Sequence, residues 1–440
     1  MVLPDGVRPA EIEVRDGRVT AIRPPGPPSP GESHNIDAGN LVVMPGLVDT
    51  HVHVNEPGRT EWEGFAHATR AAAAGGVTTL VDMPLNSVPP TTTVEGLEAK
   101  RDAATGKCHV DVGFWGGVVP GNRGALEPLV RNGVLGFKCF LSPSGVPEFE
   151  HVVERDLREA MPILARLGVP LLVHAELPAL LREPVGDPRS HATWANSRPP
   201  GAEQGAIELL TALAREFGTR VHVVHLAAPA ALPVISDARA AGTQVTCETC
   251  PHYLCFDAES IPDGATEFKC APPIRPAVDR DGLWQGLIDG DIDLIASDHS
   301  PAPAAMKQLE DGDFLSAWGG IASLQIGISA VWTRMRARGL GIGRVADWMA
   351  TAPALLAGLD HVKGRIAEGY DADLVLFDPD AYATVDGHSL YHRHAITPYD
   401  GMCLYGQVRT TLLRGDIVYD ARLGTGAPRG RLIGSSQERR

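Results

Sequence analysis

Two histidines stand two residues apart near the start of the chain, in the segment VDTHVHVNEPGRTEWEGF. Alternate side chains of a β-strand share one face, so His51 and His53 are expected to lie side by side, with Asp49 behind them. Two imidazoles on one wall can hold a metal ion. A motif as short as H-x-H also recurs by chance, and a solvated or hydrogen-bonded histidine pair is the alternative. The residues at the other strand ends must decide between these interpretations.

The middle of the chain alternates short apolar segments, rich in β-branched residues, with segments of helical periodicity. This alternation predicts an α/β fold, a distorted (β/α)8 TIM barrel. A doubly wound open sheet is the alternative, but no glycine-rich phosphate motif follows the first strand. The eight predicted strands are LVDTHVHV, VTTLVDM, VDVGFW, VLGFKCF, PLLVHAE, VHVVHL, QVTCET and IDLIASD.

Both ends of the chain have the pattern of short antiparallel strands. EIEVRDGRVTAI predicts a hairpin that turns at Asp16-Gly17, and DADLVLFD and VRTTLLRGDIVYD supply similar strands near the other end. The segment RPPGPPSPGES is too rich in proline for regular structure. We therefore predict a small β-sandwich domain formed by residues 1–45 and 365–440, and a barrel domain over residues 46–364.

Barrel enzymes place their chemistry at the C-terminal ends of the strands, and five of the eight predicted strands end in a residue suited to a metal site. An odd spacing puts His222 and His225 on opposite faces of a strand, so only one can face the barrel interior, and His225 is preferred because it lies nearer the strand end. Singly, each residue has another interpretation, such as a hydrogen-bonded histidine or an aspartate that caps a helix. The candidates are His51 and His53 (strand one), Lys138 (four), His174 (five), His225 (six) and Asp298 (eight).

Lys138 is the unusual member of this set, because an ammonium group cannot bind a cation. In the largely apolar segment GVLGFKCF its charge is unfavourable, and its pKa should fall. A neutral amine can react with carbon dioxide to form a carbamate, which is a carboxylate able to bridge two metals. A lysine that reaches solvent or pairs with an acid is the alternative.

Composition narrows the class of protein. The net charge is −15, from 39 basic and 54 acidic residues, which argues against a nucleic-acid partner. No apolar run is long enough to span a bilayer, and the first residues lack the pattern of a signal peptide. Seven scattered cysteines favour a reducing cytoplasmic location. The segment CETCPHYLC could form a separate zinc site, although buried structural cysteines are favoured.

The chain resembles the cyclic amidohydrolases of the amidohydrolase superfamily over nearly its whole length. The motifs that carry the resemblance are PGLVDTHVHVNEPGRTEWEGF, GGVTTLVDMPLNS, GFKCFLSPSGVPEF, ETCPHYL, KCAPPIR, SDHSP and AWGGI. The resemblance implies two divalent cations, one on His51, His53 and Asp298 and one on His174 and His225, bridged by N6-carboxylysine at Lys138 and a hydroxide. Zinc is expected, with iron, cobalt or manganese as alternatives. The resemblance also implies a homotetramer.

The activity implied by the resemblance is hydrolytic opening of a cyclic amide, and the expected substrate is allantoin, opened to allantoate in purine catabolism. Asp298 would carry the proton from the attacking hydroxide to the leaving nitrogen. Related dihydroorotases carry arginine where Asn55 stands, and an amide cannot bind a carboxylate by two charged hydrogen bonds. A hydantoinase or dihydropyrimidinase is the nearest alternative, and a non-catalytic scaffold is the remaining one. The implied substrate contacts are Asn55, Asn86, Cys270 and Gly320.

Overall fold

The structure, a computed structural model, describes residues 1–26 and 35–434, so most of the predicted proline-rich loop lies outside the described residues. Its strands follow the predicted alternation with helices. They are β1 (Val2–Leu3), β2 (Gly6–Val7), β3 (Glu11–Arg15), β4 (Arg18–Arg23), β5 (Val42–Pro45), β6 (Leu47–Val52), β7 (Val77–Asp82), β8 (Asp111–Phe114), β9 (Gly116–Gly117), β10 (Phe137–Phe140), β11 (Leu171–His174), β12 (Val221–Val223), β13 (Val245–Thr249), β14 (Leu294–Ile295), β15 (Leu374–Thr384), β16 (Cys403–Leu413), β17 (Asp416–Asp420) and β18 (Gly424–Thr425).

The helices lie between the parallel strands and after the last of them. They are α1 (Phe65–Ala74), α2 (Val94–Ala104), α3 (Arg123–Arg131), α4 (Glu154–Leu167), α5 (His191–Ser197), α6 (Pro200–Phe217), α7 (Leu232–Ala240), α8 (Pro251–Cys255), α9 (Ala277–Asp289), α10 (Ala304–Lys307), α11 (Gly327–Ala337), α12 (Gly343–Ala346) and α13 (Ala352–Leu356). A π-helical segment, Asp347–Thr351, joins the last two, and short 3-10 turns span Pro178–Leu180, Pro229–Ala231, Ala258–Ser260, Thr266–Phe268 and Gly387–Ser389.

Eight parallel strands close into a barrel. β6, β7 and β8 pair in chain order, and β9 to β14 do the same, with β8 and β9 forming one strand interrupted at Trp115. The ring closes where Val52 bridges His299, which follows β14, and the N–H of His53 donates to the carbonyl of His299 at 2.8 Å. The predicted barrel is therefore confirmed, and the open doubly wound sheet is excluded.

Helix α4 shows how the sequence attaches helices to this barrel. Its buried residues Leu157, Ala160, Met161 and Leu164 recur at the spacing of one helical face. The helix ends at Gly168, whose φ of 69° is the left-handed conformation that glycine adopts most readily. The chain then turns directly into β11, which carries His174 at its C-terminal end.

The two ends of the chain share a five-stranded antiparallel sheet, in the order β18-β17-β16-β15-β5. Its strand β5 comes from the N-terminal part and pairs with β15, and the hairpin β3-β4 turns at Asp16 and Gly17 as predicted. The fold class is thus confirmed, while the domain limits at residues 45 and 364 stay a prediction. No helix in the described part of the chain is long and apolar enough to cross a membrane.

Candidate metal centre

The six predicted ligands converge on one cavity of about 250 Å³ at the C-terminal edge of the barrel strands. Five of them come from four different strand ends, and Asp298 follows the last strand. All six residues are buried. Side chains spread over about 250 positions of the sequence thus meet as the strand-end argument predicts.

His51, His53 and Asp298 form the first half of the centre. The Nε2 atoms of His51 and His53 lie 3.1 Å and 3.4 Å from Oδ1 of Asp298. Within the described residues these three side chains offer their ligand atoms close enough together to hold one metal ion. His51 and His53 therefore face the same side, as the H-x-H spacing predicts.

His174 and His225 form the second half. Nδ1 of His174 lies 3.0 Å from Nε2 of His225, and the rings of His51 and His225 are 5.4 Å apart between centroids. Strand alternation is not what orients His225, because β12 ends at Val223 and His225 has a left-handed φ of 42°. Strand alternation therefore does not explain why His222 and His225 face different ways. His225 nevertheless lines the cavity, whereas His222 lies behind it.

Lys138 lies between the two halves, at the position in β10 that pairs with Leu172 of β11. It is fully buried, and its Nζ has no hydrogen-bond partner within the described residues. The amine lies 4.9 Å from the ring centroid of Phe140, and that ring stacks on His174 at 4.7 Å. A buried lysine without a partner is unfavourable as an ammonium group, and burial lowers its pKa to about 8.

The ionisation states in the cavity leave several side chains able to bind a metal ion. Burial opposes the charge of His51, but Asp298 and Glu248 outweigh it and raise the pKa of His51 to about 9. Burial also opposes ionisation of Asp298, yet His51 and His53 hold its pKa well below the usual range. Burial lowers the pKa of His53 to about 4 and that of His225 well below its usual value, so both imidazoles are neutral and able to bind metal.

The donor set fits a binuclear metal centre. It combines imidazole nitrogens with a carboxylate, which are ligands that divalent transition metals accept. Nζ of Lys138 is buried among these ligands and has no hydrogen-bond partner within the described residues. A buried polar atom is rarely left without a partner, and a group that bridges two metal ions at Lys138 would satisfy it.

Two glutamates that the sequence did not indicate orient the histidines. Glu248 accepts from Nδ1 of His51 through Oε1 and from Nε2 of His222 at 2.9 Å. Glu176 accepts from Nε2 of His174 at 2.6 Å and is paired with Arg198, whose Nη2 donates at 2.6 Å. Such carboxylates fix the tautomer and the direction of a metal-binding histidine.

The electrostatics of these glutamates support that role. Burial opposes ionisation of Glu248, but the imidazoles of His51 and His222 lower its pKa to about 2. Burial also opposes ionisation of Glu176, but Arg198 and His174 lower its pKa to about 2. In the sequence, only their positions could have indicated these two glutamates. Glu248 lies in a barrel strand, and Glu176 stands two residues after His174.

The predicted substrate contacts divide into two groups. Asn86, Cys270 and Gly320 line the cavity. Asn55 is buried behind Asn86 and accepts a hydrogen bond from its Nδ2 at 3.0 Å. Asn55 is thus in position to support Asn86 rather than to form the cavity wall.

Further residues of the wall were not predicted as site residues, although Lys269 lies in the KCAPPIR motif and Trp318 and Gly319 lie in AWGGI. Trp194, Arg198 and Lys269 form one side, and the loop that contains Trp318 and Gly319 forms another. These residues come from helix α5 and from loops between strands, where no periodic pattern predicts which side chains point inward.

Two other groups of potential ligands are accounted for without a metal. The thiols of the CETCPHYLC segment are buried, and those of Cys247 and Cys255 donate to backbone carbonyls. Asp111, Asp371 and Asp373 also cluster, but Lys363 donates to them at 2.7 to 2.9 Å and neutralises much of their charge. The separate zinc site is not formed by the described residues.

The sequence profile of the amidohydrolase family matches residues 42–418. The chain belongs to the amidohydrolase family. Among curated members it is 50% identical to an allantoinase of Streptomyces avermitilis, over 98% of this chain and 96% of that protein. It is 44% identical to an allantoinase of Arabidopsis thaliana, over 95% and 86% of the two chains. The allantoinase of Saccharomyces cerevisiae is 46% identical, over 88% and 85%.

Solved structures of this amidohydrolase family have the same fold. An L-hydantoinase (dihydropyrimidinase) from Arthrobacter aurescens superposes with a TM-score of 0.92 at 32% identity, covering 98% of this chain and 97% of that one. A D-hydantoinase from Thermus sp. gives a TM-score of 0.86 at 26% identity, over 97% and 95%. The chain is therefore a cyclic amidohydrolase by fold and family.

Proposed function

We propose that this chain is an allantoinase, which hydrolyses one ring amide of allantoin to give allantoate in purine catabolism. The observation that carries the proposal is the convergence of His51, His53, Lys138, His174, His225 and Asp298 on one buried cavity, in a chain 41–50% identical to curated allantoinases and probable allantoinases. Hydrolysis adds the hydroxyl of water to the carbonyl carbon and its proton to the ring nitrogen as the C–N bond breaks.

The six converging residues would bind two cations. His51, His53 and Asp298 would hold one, His174 and His225 the other, and Lys138 as N6-carboxylysine would bridge them. Two bound divalent cations, zinc in this proposal, would supply an activated water and polarise the ring carbonyl. Glu248 and Glu176 would keep the histidine nitrogens directed at the centre.

Asp298 is the proposed catalytic acid and base. Its carboxylate is ionised, since its pKa lies well below the usual range, and it faces the cavity. It would accept the proton of the attacking water and then deliver it to the ring nitrogen that leaves. The neutral imidazoles of His53 and His225 do not compete for this proton, because their pKa values are lowered by burial.

The wall of the cavity suits an uncharged ring. Asn86 uses its Nδ2 to bind Asn55, which leaves its carbonyl oxygen for a ring N–H. Cys270 and Gly320 also line the cavity. A backbone and amide surface of this kind recognises the alternating N–H and C=O groups of a cyclic ureide.

We extend the proposal to a homotetramer, as the resemblance to cyclic amidohydrolases implies, and to the cytoplasm, which the seven scattered cysteines favour. Light scattering of the purified protein measures the assembly, and a monomer in solution would contradict it. Metal analysis of the same sample should give about two ions per chain.

The test of the function is a comparison of turnover on allantoin, hydantoin, dihydrouracil and dihydroorotate with the metal-loaded enzyme. We expect kcat/KM to be highest for allantoin. The superposition on hydantoinases at a TM-score of 0.92 favours a hydantoinase as the second candidate. Preference for hydantoin or dihydrouracil would establish that candidate and reject allantoin.

A further inference from the structure

Two buried lysines hold one wall of the cavity in place. Lys269 donates from Nζ to the carbonyls of Leu315 at 3.2 Å and Ala317 at 2.5 Å. Lys307 donates to those of Trp318 at 3.2 Å and Gly320 at 2.6 Å. Residues 315–320, here called the clamped loop, are therefore fixed by two ammonium groups, and part of this loop lines the cavity.

The two lysines differ in what else they reach. Lys269 itself lines the cavity, whereas Lys307 does not. The Nζ of Lys269 lies 4.3 Å from the ring centroid of Trp194, and the indole N–H of Trp194 donates to the carbonyl of Cys270 at 2.9 Å. The ammonium, the indole and the Cys270 backbone thus form one corner of the cavity.

The charge of Lys269 is incompletely satisfied. An ammonium group has three N–H donors, and the described residues accept from only two of them. Lys269 forms no ion pair with a carboxylate of the described residues, although it is only 5% exposed. The neighbouring cation Arg198 is different, because Glu176 pairs with its guanidinium. A buried donor without an acceptor is unfavourable, so an oxygen atom of a ligand would be favourable here.

We infer that Lys269 is a specificity-determining residue, whose remaining N–H binds the carbonyl oxygen of the substituent carried by the hydrolysed ring. The inference rests on the proposed function, in which that substituent is the ureido group of allantoin. A ring without a substituent, such as hydantoin, offers no oxygen at this position. Lys307 holds the same loop without reaching the cavity, and it therefore supplies a matched control.

The experiment compares Lys269→Met with Lys307→Met, each loaded with metal. KM and kcat are measured for allantoin, and hydantoin is measured as a substrate or as a competitive inhibitor. We expect Lys269→Met to raise KM for allantoin about tenfold to a hundredfold, the loss typical of a charged hydrogen bond, with a much smaller change in the constant for hydantoin. Lys307→Met should change the constants of both ligands by the same factor, because it only loosens the wall.

Equal effects of Lys269→Met on allantoin and hydantoin would reduce Lys269 to a clamp and overturn the inference. If hydantoin does not bind the wild type, the test uses KM for allantoin alone. An increase in this KM that is no larger in Lys269→Met than in Lys307→Met also overturns the inference. Should Lys269→Met fail to fold, Lys269→Gln keeps donors for the loop carbonyls without the charge and should give the same selective loss. Failure of the wild type to hydrolyse allantoin would instead reject the proposed function.

Discussion

Replacement of Lys138 by methionine separates the lysine's effect on stability from its proposed role in metal binding. The side chain is fully buried with no hydrogen-bond partner for Nζ in the described structure, and burial lowers its pKa from the ordinary 10.5 to about 8. In the unfolded chain the ordinary value applies. Below about pH 8 the folded, metal-free protein therefore carries a destabilising charge worth about 3 kcal/mol, at 1.36 kcal/mol per pH unit.

The sign of the pH dependence follows from this difference. Between about pH 8 and 10.5 the unfolded chain keeps a proton on Lys138 that the folded chain has released, so the folded state gains stability as the pH rises. Lys138→Met fills a similar volume without a charge. Metal-free Lys138→Met should therefore be more stable than the metal-free wild type at pH 7, by up to about 3 kcal/mol, and this advantage should disappear by about pH 10.5.

Metal reverses the order of stability. About one in ten Lys138 side chains is neutral at pH 7 when the pKa is about 8, compared with about one in 3,000 for an ordinary lysine, so reaction with carbon dioxide is favoured. With zinc and bicarbonate present, the wild type should gain stability from metal binding, and Lys138→Met should gain little. Lys138→Met should also be inactive, and added short carboxylic acids should partly restore activity to Lys138→Ala.

The assay is urea unfolding of chelator-treated wild type and Lys138→Met at several pH values between 7 and 10, repeated after addition of zinc and bicarbonate. Metal content and turnover are measured on the same samples. Equal stability of the two metal-free proteins at pH 7 would refute the conclusion that a buried charge on Lys138 destabilises the folded protein. Two bound metals and full turnover in Lys138→Met would refute the bridging role.

Four further perturbations test other parts of the structure. Asp298→Asn should lower kcat by about 10²–10⁴-fold with much of the metal retained, and near-normal turnover would mean that another group moves the proton. Glu248→Gln should weaken metal retention about 10–100-fold in chelator competition, because His51 loses its carboxylate partner; unchanged retention would show that packing alone orients the ring. Gly320→Ala should raise KM, since its φ is 137° and an added Cβ would lie 2.2 Å from a neighbouring carbonyl oxygen; an unchanged KM would free this backbone from any role in substrate binding. Lys363→Met should cost about 3–5 kcal/mol in urea unfolding, because it removes the cation that pairs with buried Asp373, although Asp111 keeps Arg414; a loss below 1 kcal/mol would count against that network.

The sequence predicted the barrel and the approximate position of each candidate ligand for a simple physical reason. Parallel strands bring their C-terminal ends to one edge, so a residue's position along its strand is enough to place it near residues of other strands. His51 and His174 are of this kind, since each lies at the end of a strand whose limits the apolar pattern marks. The turn residues at the two chain ends were enough to predict that these ends form antiparallel strands. The structure adds which strands connect the two ends, namely β5 and β15.

The carboxylates behind the histidines were not predictable in the same way. Glu248 lies on β13 and reaches across to His51 on β6, nearly 200 residues earlier, so no local spacing connects the two. Arg198 and Glu176 meet because helix α5 folds over the end of β11, which depends on the length and path of a loop. Lys269 belongs to the same class, because its functional direction is set by the clamped loop and not by a periodic pattern.

Backbone conformation explains why strand alternation fails at the cavity rim. Of the seven non-glycine residues with positive φ in the described chain, four lie just beyond barrel strands: Asn55, Asn86, His225 and Asp298. Their φ values of 42° to 66° are left-handed, a conformation that costs about 1–2 kcal/mol for most L-residues. A regular strand would carry successive side chains to opposite faces, whereas a left-handed residue turns the chain and interrupts this alternation. The strain is thus located at the positions where side chains from different strands must converge, and it is there that a two-residue period can no longer predict direction.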